Sequence, residues 1–190
     1  MKDFIRGYGY QGGGSRPGWG HLVAEAAYGA DFKDSLKQPD DWYFNFFGFG
    51  EILPYHENKV YLNEEKKDKW GMPTLVMDAE IKANERAMRK DMKEQAAEMC
   101  EKAGLKDIQM YDNRYALGLG IHEMGTARMG RDPKTSVLNK WNQIHAVKNV
   151  FVTDGACMTS AGCQNPSLTY MALTARAADF AVKALKRNEL

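Results

Sequence analysis

The sharpest periodic signal along the chain lies between residues 80 and 103. There Ile81, Met88, Met92, Ala96, Met99 and Ala103 fall on one stripe of a 3.6-residue repeat while charged residues fill the rest. The pattern predicts an amphipathic helix stopped by Gly104, and it makes these methionines core side chains rather than a cofactor contact. A second helix is predicted from Asn165-Pro166 through about Lys186. Asn165 reads as its N-cap and Pro166 as its first residue, with Leu168, Met171, Leu173 and Ala175 as the apolar stripe behind them.

Other segments read as strands or loops. Residues 42–53, WYFNFFGFGEIL, are dense in aromatics and stop at Pro54, the profile of a buried strand with a bulge or close backbone approach. Residues 59–62 and 74–77 read as short strands joined by the charged turn 63–71, so the three segments suggest an antiparallel meander rather than βαβ units. A short strand is predicted at 107–111, turns at 131–140, and a further strand at 147–153, VKNVFVT, ending at Asp154-Gly155. Residues 1–40 are rich in glycine and aromatics and read as an irregular segment ahead of one domain over residues 41–190. The run Gly12-Gly13-Gly14 could cradle a phosphate, but no strand signal precedes it and no helix signal follows, so a loop is the plainer reading.

Composition narrows the picture. With 190 residues, 44% of them hydrophobic and 27% charged, the chain can bury one good core and is not predicted to be disordered. A net charge of +1 gives no electrostatic footprint for nucleic acid or an anionic membrane, and it predicts a substrate not selected by charge. No apolar run approaches the ~18 residues of a membrane span, and the start MKDFIRGYGYQGGG lacks the apolar stretch of a secretory signal. Cys100, Cys157 and Cys163 are odd in number and without CxxC spacing, so they read as small buried apolar residues rather than a disulfide framework or zinc knuckle.

Candidate chemistry gathers near the C-terminus. His122 lies in HEMGTARMG, where Gly120, Gly125 and Gly130 leave the imidazole few bulky neighbours, a plausible setting for a general base. His122-Glu123 invites comparison with HExxH, but Thr126 stands at the second ligand position and a metal site is set aside. The helix start at Asn165 offers unpaired N–H donors and a partial positive charge to an anion, although a capped helix is the simpler interpretation. Asp154-Gly155 after a strand is a common turn signal, and an Asp at a strand end can also bind hydroxyls. His21, His56 and His145 have no partner spacing and read as surface or loop histidines.

Three stretches carry a resemblance. HEMGTARMG at 122–130, SVLNKWNQIHAVKNVFVTDGA at 136–156 and NPSLTYMALTARAADF at 165–180 together resemble the end of glucose-methanol-choline (GMC) oxidoreductases, in wording closest to the bacterial sugar and gluconate dehydrogenases. More loosely, residues 47–63 and 67–75 are similar to strands of that family's substrate domain. The resemblance implies an α+β fold with an antiparallel sheet and helices packed on one side. It implies oxidation of a sugar or other alcohol by hydride transfer to FAD, with His122 as base and Asn165 as the partner that hydrogen-bonds the same alcohol oxygen. It also implies that Asp154 and Gly155 sit beside the flavin chain and that the backbone at Pro166 faces the pyrimidine edge. A reduced flavin, negative near N1 and the C2 carbonyl, is an anion of the kind a helix start stabilises.

The chain departs from the family in one respect. No GxGxxG follows a strand, so the Rossmann-like FAD domain is expected to be missing, FAD to bind poorly to this chain alone, and its isolated activity to be weak or absent. A truncated parent or a second polypeptide would then supply the nucleotide fold. Two rival classes stand beside this one. In the first, a non-catalytic carbohydrate-binding module stacks sugars on Trp42, Tyr43, Phe44 and Phe46, whose plainer role is sheet core. In the second, a partner-binding fragment exposes apolar surface and self-associates.

Overall fold

The computed structural model describes residues 3–16, 18, 28–37, 41–112 and 116–190. These hold four strands and three α-helices, an α+β fold: β1 (Tyr8–Ser15), α1 (Ala30–Ser35), β2 (Tyr43–Gly50), β3 (Lys59–Lys67), β4 (Pro73–Asp78), α2 (Ala83–Lys102) and α3 (Ser167–Lys186). The chain forms two compact units, one of Gly9–Phe49 and the other of the remainder. None of the described helices is long and apolar enough to cross a membrane.

In the smaller unit β2 pairs with β1, not with β3, so the three-stranded meander expected from the sequence is replaced by two separate two-stranded sheets, β1-β2 and β3-β4. The partner of β2 is the glycine run itself. Gly12, Gly13 and Gly14 lie on β1 rather than in a loop, and at Gly12 a side chain would collide with the Asn45 carbonyl and Phe46 of β2. Tyr10 meets Phe46 edge-on at 5.2 Å. Trp42, Tyr43 and Phe44 are exposed, not core, and Phe46 is half-buried. A two-stranded ribbon buries little on either face.

In the larger unit β3 and β4 are antiparallel, in register from Lys59↔Asp78 to Asn63↔Thr74, with an irregularity before Lys67↔Pro73. The hairpin runs further than its apolar pattern suggests because polar side chains hold its tip. Asn63 Oδ1 accepts from the Glu65 and Lys66 amides at 3.1 Å, and Asp68 Oδ1 accepts from the Trp70 and Met72 amides at 2.9 Å.

Helix α2 forms where the periodicity predicts it. Met88 and Ala96 are buried, but Met99 is 46% exposed and Cys100 takes its place in the core, because the buried row runs from Glu85 to Met88 in a step of three and then to Ala96 and Cys100 in multiples of four. At its start Glu85 accepts from the Lys82 amide at 3.1 Å, and at its end Gly104 takes φ 77°. There the Gly104 and Leu105 amides donate to the carbonyls of Glu101 and Cys100, closing a Schellman motif. Within the larger unit the helix is held by Tyr8, Gly50 and Leu53. Tyr8 Oη donates to Asp91, Met88 fills the space over Gly50, and Leu53 donates its amide to Glu85 at 3.1 Å.

Two predicted strands do not form. Residues 107–111 are irregular, with Asp107 at φ 52°. In 147–153 only Phe151 makes a bridge, to Gln143. Its neighbours close a local turn instead: the Ile144 amide donates to Val150 at 3.0 Å and the Val152 amide to Asn142 at 2.9 Å. A β-branched run favours extended backbone but becomes a strand only where another strand lies alongside.

Candidate active site

Helix α3 is the frame. Its first helical hydrogen bond runs from the Tyr170 amide to the Pro166 carbonyl at 3.0 Å. That bond makes Pro166, at φ −91° and ψ 3°, the N-cap residue in place of Asn165, and no side chain caps the helix start. Asn165 stands one residue earlier and is exposed, while Pro166 is buried. The unpaired first-turn amides that the sequence predicts are thus present, but Asn165 does not cap them.

The far half of α3 anchors the loops that lead to the site. Trp141 stacks on Phe180 with ring centroids 4.9 Å apart and planes 5° apart, and Phe151 meets the same ring from the side. Arg176 donates to Asn142 Oδ1 at 3.1 Å. Asn142, fully buried at φ 62°, donates through Nδ2 to the Val152 carbonyl at 3.0 Å. These contacts hold the ends of the 142–152 loop together, and Asp154 follows directly.

Asp154 Oδ1 accepts from the Ala156 amide at 2.9 Å and so caps a single 3₁₀ turn, Gly155–Cys157. Cys157 is fully buried, and burial pushes its thiol up from the usual range against a hydrogen bond with Asn142. The segment carrying His122 lies against this turn. The Ala127 amide donates to the Ala156 carbonyl at 3.0 Å and the Met129 amide to the Cys157 carbonyl at 2.9 Å. Gly155 is where the pieces meet: a Cβ there would lie 2.8 Å from Tyr170 Oη, 2.9 Å from Met124 Sδ and 3.2 Å from the Glu123 carbonyl. The glycine is required by this close approach, since the three groups come from two other segments of chain.

His122 itself is half-buried. The residue before it, Ile121, has φ 66° and is 89% exposed, a left-handed conformation for a β-branched side chain that costs of order 1–3 kcal/mol. The strained turn is closed by Glu123 Oε1, which accepts from the Gly120 amide at 2.6 Å.

The structure therefore gathers the His122 loop, Asp154, Gly155 and the first turn of α3. No hydrogen bond joins His122 to Asn165 among the described residues. His145 is engaged with Ser136 Oγ at 3.1 Å and belongs to the loop framework; His21 lies outside the described residues. Sequence reasoning missed Tyr170, Glu123 and the Arg176–Asn142 pair. Tyr170 is the fourth residue beyond Pro166, a position one turn into the helix, and only that spacing hinted at a role.

Comparison with known proteins yields a family match. The family described as GMC oxidoreductase matches residues 54–174. Among curated relatives, a 2-methyl-1,2-propanediol dehydrogenase from Mycolicibacterium austroafricanum is 32% identical over 187 residues, covering 94% of this chain and 33% of the relative. A paromamine 6'-oxidase from Streptomyces fradiae is 34% identical over 66% of this chain and 23% of its own length. The fructose dehydrogenase large subunit from Gluconobacter japonicus is 30% identical over 73% of this chain and 25% of its own length. The chain spans a third or less of the length of each of these relatives.

Proposed function

Because this chain belongs to the GMC oxidoreductase family, we propose that it is the base-bearing part of an FAD-dependent enzyme that oxidises a CH–OH group of a sugar or other alcohol. The observation that carries this reading is the meeting of the His122 loop, the Asp154-Gly155 turn and Tyr170 of α3 at Gly155. The relatives, named for a diol, a ketose and an aminoglycoside, support a polyhydroxylated substrate.

The residues fit a flavin. The first-turn amides of α3 have no side-chain partner and suit an anionic ring edge. Asp154 is exposed, and with Oδ1 on the Ala156 amide its second oxygen is available to accept from a ribityl hydroxyl. Pro166, buried ahead of these amides, lends them a fixed backbone. When bound, FAD supplies the hydride acceptor. The nucleotide-binding fold it needs is assigned to the part of the relatives that this chain does not cover, so residues 41–190 supply the base and substrate side and retain little flavin alone.

An alcohol proton does not leave unaided near neutral pH. His122 takes it as the C–H bond gives up its hydride, leaving a carbonyl on the product and a proton on the imidazole. Asn165, exposed at the helix entrance, is free to hydrogen-bond the same oxygen and hold it in line. With the nucleotide-binding portion supplied and flavin bound, turnover with an artificial electron acceptor should fall about a hundred- to ten-thousand-fold in His122→Ala. In Asn165→Ala it should fall roughly tenfold, the worth of one hydrogen bond. Full turnover in His122→Ala would refute the assignment.

A further inference from the structure

We propose that Tyr170 is a positioning residue for His122: its hydroxyl wedges the His122 loop against the Gly155 turn and thereby fixes the base relative to the flavin side of the site. The inference rests on the function proposed above but draws on its own geometry.

Tyr170 Oη lies 3.5 Å from Met124 Sδ, two residues beyond His122. The same oxygen would be 2.8 Å from a Cβ at Gly155, so ring, thioether and glycine are in mutual contact. Tyr170 is in turn fixed by its helix. Its amide holds the Pro166 carbonyl at 3.0 Å. Its own carbonyl accepts from Thr174 Oγ1 at 2.8 Å, and that hydroxyl also lies 3.5 Å from the Thr153 carbonyl, next to Asp154. The tyrosine thus stands on the rigid element, and the histidine on the strained one, at Ile121 with φ 66°. A strained turn persists only where its surroundings over-determine it, and the contacts of Met124 and the Glu123 carbonyl with Gly155 and Tyr170 supply that restraint on the side facing the helix. Burial, together with the carboxylates of Asp154 and Glu123 and with Cys157, raises the phenol above its usual range, so the hydroxyl stays protonated and acts as a neutral wedge.

The test is Tyr170→Phe, read by kinetics with the nucleotide-binding portion supplied and flavin bound, and by hydrogen–deuterium exchange. Removing one oxygen retains the ring, and the fold should persist. Steady-state kinetics should show kcat lowered about tenfold with KM within twofold, the signature of a misplaced group that acts only in the transition state. Hydrogen–deuterium exchange should quicken in residues 121–126 and stay unchanged in α2. An unchanged kcat, a rise in KM alone, or faster exchange spread through the chain would overturn the positioning role. Exchange is measured independently of turnover. If the wild-type protein does not oxidise alcohols or sugars, the proposed function fails, yet local loosening of 121–126 in Tyr170→Phe still supports the wedge and its absence still refutes it.

Discussion

Glu85 shows how a single charge can be kept in the core. It is 3% exposed, and burial alone would push its carboxyl up. Hydrogen bonds from the Leu53 amide, Asn84 and the Lys82 amide outweigh burial and hold it below its ordinary value of 4.5. Tyr55 adds its hydroxyl at 3.1 and 3.2 Å. A carboxylate whose folded pKa is depressed contributes stability that is complete above the unfolded value and is lost as pH falls through the folded one. Glu85→Gln should therefore lower the urea midpoint at neutral pH by the equivalent of about 2 kcal/mol, and the gap from the wild type should close as pH falls below 4.5. A gap that is the same at acid and neutral pH would contradict this account. The periodic pattern left the charged residues of this helix off its apolar stripe and so gave no reason to expect a buried acid at Glu85, because its partners at Leu53 and Tyr55 are distant in sequence. The same limit hid Tyr170, whose role depends on a glycine and a methionine from two other segments.

Elements differed in how far the chain declares them. Helices α2 and α3 are legible because their hydrogen bonds are local and their stop and start signals lie within a few residues. Gly104 is the clearest such signal. At φ 77° with open space around its Cα, it ends α2 by conformation rather than by packing. Gly104→Ala should destabilise the protein by about 1 kcal/mol, seen as an earlier thermal transition, without altering flavin content or KM. A stability equal to the wild type would mean that another residue sets the helix end. Strands were less legible, since each needs a partner that composition does not name. The run at Gly12–Gly14 is a strand through its pairing with β2, which at Gly12 comes close enough to exclude a side chain. The run at 147–153 looks like a strand but curls onto Asn142 and Ile144 for want of one beside it.

At the scale of the molecule, the α+β class and the family were both readable from sequence, the latter through motifs at 122–130, 136–156 and 165–180 that fall largely within the matched span 54–174. What the motifs could not give is how their residues meet: α3 serves as a rack on which Arg176 and Phe180 hold the segment at Trp141 and Asn142 while Tyr170 holds the one at Met124. Apolar side chains remain exposed on the same helix, Leu168 at 78% and Met171 at 67%, next to its uncapped start. Such a surface is of the kind that marks an interaction site. The central claim, that His122 takes the hydroxyl proton as hydride leaves, is tested most directly by supplying the nucleotide-binding portion and flavin, adding a sugar or diol in the absence of oxygen and following the visible flavin absorbance. The wild type should bleach rapidly, and His122→Ala should bind the flavin equally well yet bleach at least about a hundredfold more slowly. Equal bleaching rates in the two proteins would show that the proton leaves by another route.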